Sequence, residues 1–466
     1  MRTPVRIFVG PALLLALASA CWEPPSLVEP PVTAAEQGAA LEAPPLVGSM
    51  VAAGEGHACA LGVDRRAYCW GDNSDGNLGD GSNLSSMRPV PVDGARHFAH
   101  LTSGGFDHTC GLTEDGEAYC WGWNAFGQLG DGTTASSNVP VAVAGSLRFA
   151  HLDAGSYHTC GLTEDGEAYC WGANGPLIRA FGGRGEDEGF ALGAPTTELC
   201  DNPRAPSGSP YRGSPWPCST TPLAVSGGIS FHSISAGVWA TCGVAEDGVA
   251  YCWGFNGADE LGTGMATYAT APTAVAGGLL FDDVVLGALH GCGLVDEDAY
   301  CWGGRPVPGL ANFGSLGTGS FDGSSAPAAV AGGLSFSAIM PSDANNVWTF
   351  TCGLTTDGAA YCWGSNESGA LGTDAVLAPC GGAGVPCTNV PVPVAGGIEF
   401  ISLASGSQFA CGVAGNRATY CWGRNDFGQL GDGTTMGRFT PVLVQAPERR
   451  EAVLAKQAQG EVTVIP

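Results

Sequence analysis

The chain alternates short apolar runs with polar turn signals, and the alternation repeats. One unit reads Phe98-Ala-His-Leu-Thr102, His108-Thr-Cys-Gly-Leu112, Glu117-Ala-Tyr-Cys-Trp121 and Val139-Pro-Val-Ala-Val143. Each run is short, mixes apolar, aromatic or β-branched side chains, and is bounded by Gly, Asp, Asn or Ser, as a strand is. No run in the repeated region keeps the period of a long helix. The middle two runs recur seven times with two cysteines each, the first of each pair at 59, 110, 160, 242, 292, 352 and 411. The gaps are 51, 50, 82, 50, 60 and 59 residues, a base period of about fifty with insertions, in the range of propellers and solenoids. Four strands in each of seven units predict an all-β fold, a seven-bladed β-propeller.

The cysteines specify how each hairpin pairs. In six units they lie ten apart around a turn signal, Glu-Asp-Gly in three of them. Such a sequence forms a three-residue hairpin loop with Gly in the left-handed position. Setting Thr113 opposite Glu117 places Cys110 opposite Cys120. Opposed residues have Cα atoms about 4.5–5.5 Å apart, which a disulfide accepts. Cys292 and Cys301 are nine apart, but their loop, Asp296-Glu297, is one residue shorter, so they too are opposed. The blades are therefore expected to be stapled at Cys59/Cys69, Cys110/Cys120, Cys160/Cys170, Cys242/Cys252, Cys292/Cys301, Cys352/Cys362 and Cys411/Cys421. This spacing is too wide for a zinc knuckle.

Of the 19 cysteines, Cys200/Cys218 and Cys380/Cys387 fall in two insertions and make two further pairs, leaving Cys21. Residues 1–20 read as a signal peptide, with Arg2 and Arg6 ahead of an apolar Ile7–Leu17 stretch too short to span a membrane. Ala18-Ser-Ala-Cys21 resembles a bacterial lipobox, with Ala18 where that motif prefers Leu; Ala18-Ser-Ala20 also fits ordinary signal cleavage. The odd cysteine favours lipidation at Cys21. Either route leads to an oxidising space, as a cell-envelope lipoprotein or a secreted protein. Residues 21–45, rich in Pro, Ala and Glu, form a lipid-anchored disordered linker; 46–446 form the propeller; 447–466 form a charged tail.

The full unit continues as Trp-Gly-x-Asn-x-x-Gly-Gln-Leu-Gly-Asp-Gly-Thr…Pro-Val-x-Val-x-Gly, and Gly-x-Leu-Gly recurs at Gly76–Gly79, Gly127–Gly130, Gly314–Gly317, Gly369–Gly372 and Gly428–Gly431. The fourth unit has Glu260-Leu-Gly262, and the third is scrambled by its insertion. This unit resembles the regulator of chromosome condensation repeat. The resemblance implies a seven-bladed propeller used to bind partners, among them a small GTPase and nucleosomes in the eukaryotic namesake and a β-lactamase in a secreted inhibitor. It also implies guanine-nucleotide exchange as an alternative. Paired hairpin cysteines depart from the family and suit an exported member.

Insertions mark the surface that function would use. From the hairpin Trp to the end of the unit is 24 residues in units one, two and four. It is 56 in unit three (Trp171 to Gly227), 30 in five (Trp302 to Gly332) and 33 in six (Trp363 to Gly396). All three excesses lie in one connection, so propeller symmetry puts them on one face. The third carries Arg204, Tyr211, Arg212 and Trp216, the candidate binding face, and two are stapled by cysteines. The repeated Tyr-Cys-Trp reads as packing between blades. His57, His108, His158 and His290 alternate with Ala240, Phe350 and Phe409 at one position, which suits a histidine hydrogen-bonded to backbone rather than a metal ring. The Asp-Gly turns read as turn chemistry, not calcium loops.

No metal, cofactor or catalytic motif is apparent. With 44 acids against 18 bases the chain carries −26, which disfavours nucleic acid and leaves the membrane reachable only through a lipid. The expected function is a monomeric, non-catalytic extracytoplasmic propeller that binds a protein or glycan. A glycosidase or lyase acting in the central depression and a self-associating coat protein are the alternatives.

Overall fold

The computed structural model describes residues 45–175, 191–201, 215–265, 268–305, 313–343, 348–380 and 384–447. Seven antiparallel sheets follow one another along the chain, five of them four-stranded meanders in sequence order and two, in blades 3 and 6, with a fifth strand added outside the fourth. In blade 1 the strands are Gly48–Ala53, His57–Gly62, Ala67–Gly71 and Ser86–Pro91. The innermost strands of blades 2 to 7 are His100–Ser103, Phe149–Ala154, Phe231–Ala236, Asp283–Leu286, Phe336–Pro341 and Phe400–Ser405. Together the seven line a central channel. The chain is an all-β, seven-bladed propeller. Because the strands alternate in direction, the connections between strands one and two and between three and four leave on one face, here the upper. The cysteine hairpin turns point to the lower face.

All seven hairpins pair cysteine with cysteine: Cys59↔Cys69, Cys110↔Cys120, Cys160↔Cys170, Cys242↔Cys252, Cys292↔Cys301, Cys352↔Cys362 and Cys411↔Cys421. Each pair is a disulfide with Cα atoms 4.0–4.1 Å apart. That is tighter than the spacing expected of open strand pairs. Counting alternately from the closing pair Thr113/Glu117 puts Cys110/Cys120 at a non-hydrogen-bonded position, the narrower of the two kinds, and the cross-link draws it closer. Gly116 closes its turn at φ 77°, donating to the Thr113 carbonyl at 3.1 Å. In blade 5, Asp296 and Glu297 both adopt positive φ (48° and 71°), the two-residue turn of a type I′ hairpin.

What joins one blade to the next is the repeated Trp. Trp70, Trp121, Trp171, Trp253, Trp302, Trp363 and Trp422 are fully buried. Each donates its indole N–H to a carbonyl of the preceding blade, as Trp121 does to Asn77 (2.9 Å) and Trp171 to Gln128 (2.9 Å). The last Gly of Gly-x-Leu-Gly lies flat on that indole: a Cβ on Gly79, at φ +63°, would sit 2.8 Å from the Trp121 ring. The motif is therefore the socket for the neighbour's Trp. The third unit keeps it after its insertion as Ala191-Leu192-Gly193, with Trp253 donating to the Ala191 carbonyl (3.1 Å).

The repeated histidines also bridge blades, and here the sequence expectation needs correcting. The partner of Nε2 is a side chain of the next blade rather than backbone. His57, His108, His158 and His290 bond the hydroxyls of Thr109, Thr159, Thr241 and Thr351 in the following blade at 2.7–2.9 Å. A hydroxyl one blade away has no signature in the local sequence of the histidine.

The ring closes without a covalent bond. Leu46 N donates to Val444 O (2.9 Å), Gly48 N to Arg417 O (2.9 Å) and Thr419 N to Leu46 O (3.1 Å). Gly48 thus stands on the hairpin turn of blade 7 as Phe231, for example, stands on that of blade 3 through Gly166 O (2.9 Å). Trp70 completes the seam by donating to Gln429 O (2.8 Å).

Candidate functional site

Pairing register arranges the channel wall in two tiers. Opposite the residue two after the first cysteine of each hairpin lie Met50, His100, His151, Ser233, Asp283, Ala338 and Ser402, one from each blade. Opposite the first cysteine of each hairpin lie Ala52, Thr102, Asp153, Ser235, Val285, Met340 and Ala404. Strand residues two apart share a face, so both tiers look into the channel. The cavity they enclose has a volume of about 510 Å³, within the usual range for small-molecule sites.

Polar groups concentrate on blades 2 to 5. The His100 and His151 rings stand 5.3 Å apart. Burial holds His100 down to about 4, with His151 beside it acting the same way. Asp153 accepts from Thr102 Oγ1 (3.0 Å) and from Ala236 N (2.8 Å). Asp283 accepts from Val284 N (2.9 Å), and desolvation by the channel wall raises its carboxyl above the ordinary range. At the upper end Asp343 of blade 6 reaches across the axis, accepting from Gly105 N of blade 2 (3.1 Å) and Ser156 Oγ of blade 3 (3.2 Å). Burial pushes it up to about 7.

Asp343 belongs to a longer connection between strands one and two of blade 6, Pro341 to Phe350, which sequence reasoning missed. The signal was present: the gap from Cys292 to Cys352 is 60, and the excess after Trp302 explains only part of it. No arginine or lysine lines the channel, so the converging arginines of a sialidase are not found among the described residues there.

On the upper face the insertions of blades 3 and 6 each add a fifth strand at the rim. Glu198–Cys200 pairs with Trp216–Ala224, and Pro379–Cys380 with Val385–Pro393. Disulfides Cys200–Cys218 and Cys380–Cys387 fasten them, each with Cα atoms 5.9 Å apart. Arg204, Tyr211 and Arg212 lie outside the described residues, as does Cys21. Trp216 does not present its ring to solvent as the sequence suggested: it is 9% exposed and stacks on Phe126 with centroids 5.1 Å apart. It packs there because apolar side chains of three blades converge. Phe106, Tyr157 and Trp239, from the strand one to two loops of blades 2, 3 and 4, stack in series with centroids 4.6 and 4.0 Å apart. Trp123 meets Phe126 and Tyr157 edge-on. Phe106 and Trp239 are half-buried.

Among the described residues one His/Cys/Asp/Glu group is close enough to hold a metal, Glu198 with Cys200 and Cys218. Its cysteines are bridged to each other, and Glu198 accepts from Thr220 N (2.9 Å) and Thr220 Oγ1 (2.7 Å), so it serves the added strand.

The regulator of chromosome condensation (RCC1) repeat matches residues 115–162 and 418–457 in one form, and 51–77, 100–128, 347–370 and 400–429 in a second. Over those stretches the chain carries RCC1 repeats. The Ultraviolet-B receptor UVR8 of Arabidopsis thaliana is 29% identical over 412 residues, 87% of this chain and 83% of that protein. The human E3 ubiquitin-protein ligase HERC2 is 26% identical over 388 residues, 81% of this chain but 7% of the ligase. Prp20p from Saccharomyces cerevisiae superposes with a TM-score of 0.66 at 18% identity, over 86% of this chain and 96% of that one. Human WBSCR16 superposes at 0.60, also with 18% identity, over 79% and 87%. At that identity the two structures show a fold shared with this chain. The cysteine pairs within its blades suggest an oxidising, extracellular environment.

Proposed function

We propose that this chain is an exported, non-catalytic binding propeller, lipid-anchored at Cys21, whose upper face takes a protein or glycan partner. The observation that carries this reading is the aromatic series Phe106–Tyr157–Trp239. Three successive blades use one loop position to build it, beside the stapled insertion of blade 3. Aromatic side chains have few rotamers, and packed rings have fewer still, so little freedom is lost when a partner covers their edges. A sugar ring or an apolar peptide side chain both suit such edges. The net charge of −26 makes a nucleic acid a poor fit.

The test is binding of glycan arrays and of envelope or secreted proteins to the oxidised chain and to two variants. One carries Phe106→Ser with Trp239→Ser on the upper face; the other carries Glu246→Gln with Asp247→Asn on a lower-face turn. A saturable partner lost only with the upper-face pair supports the reading. A partner kept by that pair, or lost with the lower-face pair, overturns it. Removal of residues 202–214, leaving Cys200 and Cys218 in place, tests the insertion separately. Mass measurement of the mature N-terminus, with Cys21→Ser as control, tests the anchor.

A further inference from the structure

The channel wall divides by chemistry as well as by height. Blades 2 to 5 supply His100, His151, Ser233 and Asp283 to the lower tier, and Asp153 stands just above. Facing them, blades 6, 7 and 1 supply Met340, Ala404, Met50 and Ala52, with Ser402 the polar member of the tiers on that side. A cavity of about 510 Å³ therefore has one polar, acidic side and one apolar side, and no lysine or arginine in its lining.

The polar side has unmet capacity. Asp153 uses both oxygens on Thr102 and Ala236, but Asp283 is exposed to the cavity. These acceptors do not suit a metal ion, because no three carboxylate, imidazole or thiol donors of the described channel lie within 4.8 Å of one another. They suit a larger cation that brings several N–H donors. On the lower face, nearest this tier, blades 3 to 5 carry the acidic hairpin turns Glu164-Asp165, Glu246-Asp247 and Asp296-Glu297, while the turns of blades 1 and 7 carry Arg65, Arg66 and Arg417, so cations are favoured on the side of the polar wall. Asp343, bonded across the axis, bounds the opposite end.

We propose that the central cavity binds a small amphipathic amine, with its ammonium group on Asp283, on the polar side of the wall, and its hydrocarbon part against Met50, Met340 and Ala404. A carboxylate–ammonium hydrogen bond is strengthened inside a cavity with low-dielectric walls. Methionine side chains adapt to the shape of an apolar chain. The site is separate from the upper face and stands or falls independently of it.

The experiment is calorimetric titration of the exported, oxidised chain with hexylamine, against hexanol and hexanoate as neutral and anionic probes of equal length. Hexylamine is expected to bind one per chain, at least tenfold more tightly than hexanol, with hexanoate not bound. Along butylamine, pentylamine and hexylamine, affinity rises about fourfold per buried methylene. Asp283→Asn lowers hexylamine affinity at least tenfold with the melting temperature retained. Ala404→Phe, which fills the apolar side, abolishes binding and does not depend on the fate of Asp283→Asn. Absence of saturable binding, equal affinity for hexanol, or indifference to both variants overturns the proposal.

Discussion

His158 of blade 3 bonds Thr241 of blade 4 at 2.8 Å through its Nε2, with both side chains fully buried. The Thr241 hydroxyl gives its own proton to the Ala191 carbonyl (2.8 Å), so the imidazole is the donor and carries its hydrogen on Nε2. The same pair occurs at four seams. Where the histidine is replaced by Ala240, Phe350 or Phe409, the following blade has Gly291, Ala410 or Ala58 instead of threonine. The two positions are one device shared by neighbouring blades.

Exchanging one member alone should therefore cost more than exchanging both. His158→Phe leaves Thr241 facing a ring, and Thr241→Ala leaves a buried imidazole donor unpaired; each is expected to destabilise by about 1–3 kcal/mol. The double variant copies Phe409 with Ala58 and should recover at least half of that loss. Denaturant unfolding of the three variants gives the coupling directly.

Acid should loosen the ring. Burial lowers His57, His158 and His290 to about 4 and His108 to about 3. Below their ordinary value of 6.5 the unfolded chain takes up protons that the folded chain refuses, so stability falls as pH drops from about 6.5 toward 4. Each histidine can account for up to about 3 kcal/mol over that range. Thermal unfolding at pH 7.5, 5.5 and 4.5 checks this, and the His158→Phe, Thr241→Ala double variant should show a shallower slope than the parent.

Glu260 has the opposite sign. It occupies the place of Gln128 and Gln429, whose side-chain oxygens accept from Phe126 N (3.0 Å) and Phe427 N (2.9 Å); Glu260 accepts from Ala258 N (2.7 Å). Burial pushes its carboxyl up to about 8. The folded chain keeps a proton that the unfolded chain releases above about 4.5, so this group removes stability as pH rises. Glu260→Gln should stabilise little at pH 5 and by about 2–4 kcal/mol at pH 8.5, read from melting curves at the two pH values.

The nine bridges should differ in their response to reductant. The fourteen hairpin cysteines are at most 1% exposed, while Cys380 at the rim of blade 6 is partly exposed. Thiol–disulfide exchange needs access to a sulfur. Brief native treatment with dithiothreitol, followed by alkylation and mass mapping, should label Cys380 and Cys387 first and leave the hairpin pairs intact. Equal labelling of all pairs would show that the blades open far more readily than their packing implies.

The seven hairpins were legible because cysteine spacing and turn length together leave one register, and blade number followed from counting. The seam chemistry was not. Thr109 means nothing until it is known to stand beside His57, and that adjacency belongs to the ring rather than to either repeat. The third-unit socket Ala191-Leu192-Gly193 was hidden because the insertion displaces it and Ala191 meets the indole through its backbone carbonyl, which any residue can supply. The channel tier was hidden for a related reason. Its members share a position, nine residues before the first cysteine at Met50, His151, Ser233, Asp283 and Ser402, but share no residue type. Of the residues singled out for binding, Trp216 is buried against Phe126, a contact between blades that its place in an insertion does not reveal.

The non-covalent closure has a mechanical consequence. The described chain enters at Pro45 and leaves past Gln445, two residues paired with each other across the same seam. A pull applied between the ends loads Leu46–Val444 and its neighbouring bonds one after another, in peeling rather than in shear. The seven cross-linked hairpins take none of that load until the seam has parted. Under tension the ring should thus open at one known place and unroll blade by blade, each blade yielding only the length outside its disulfide.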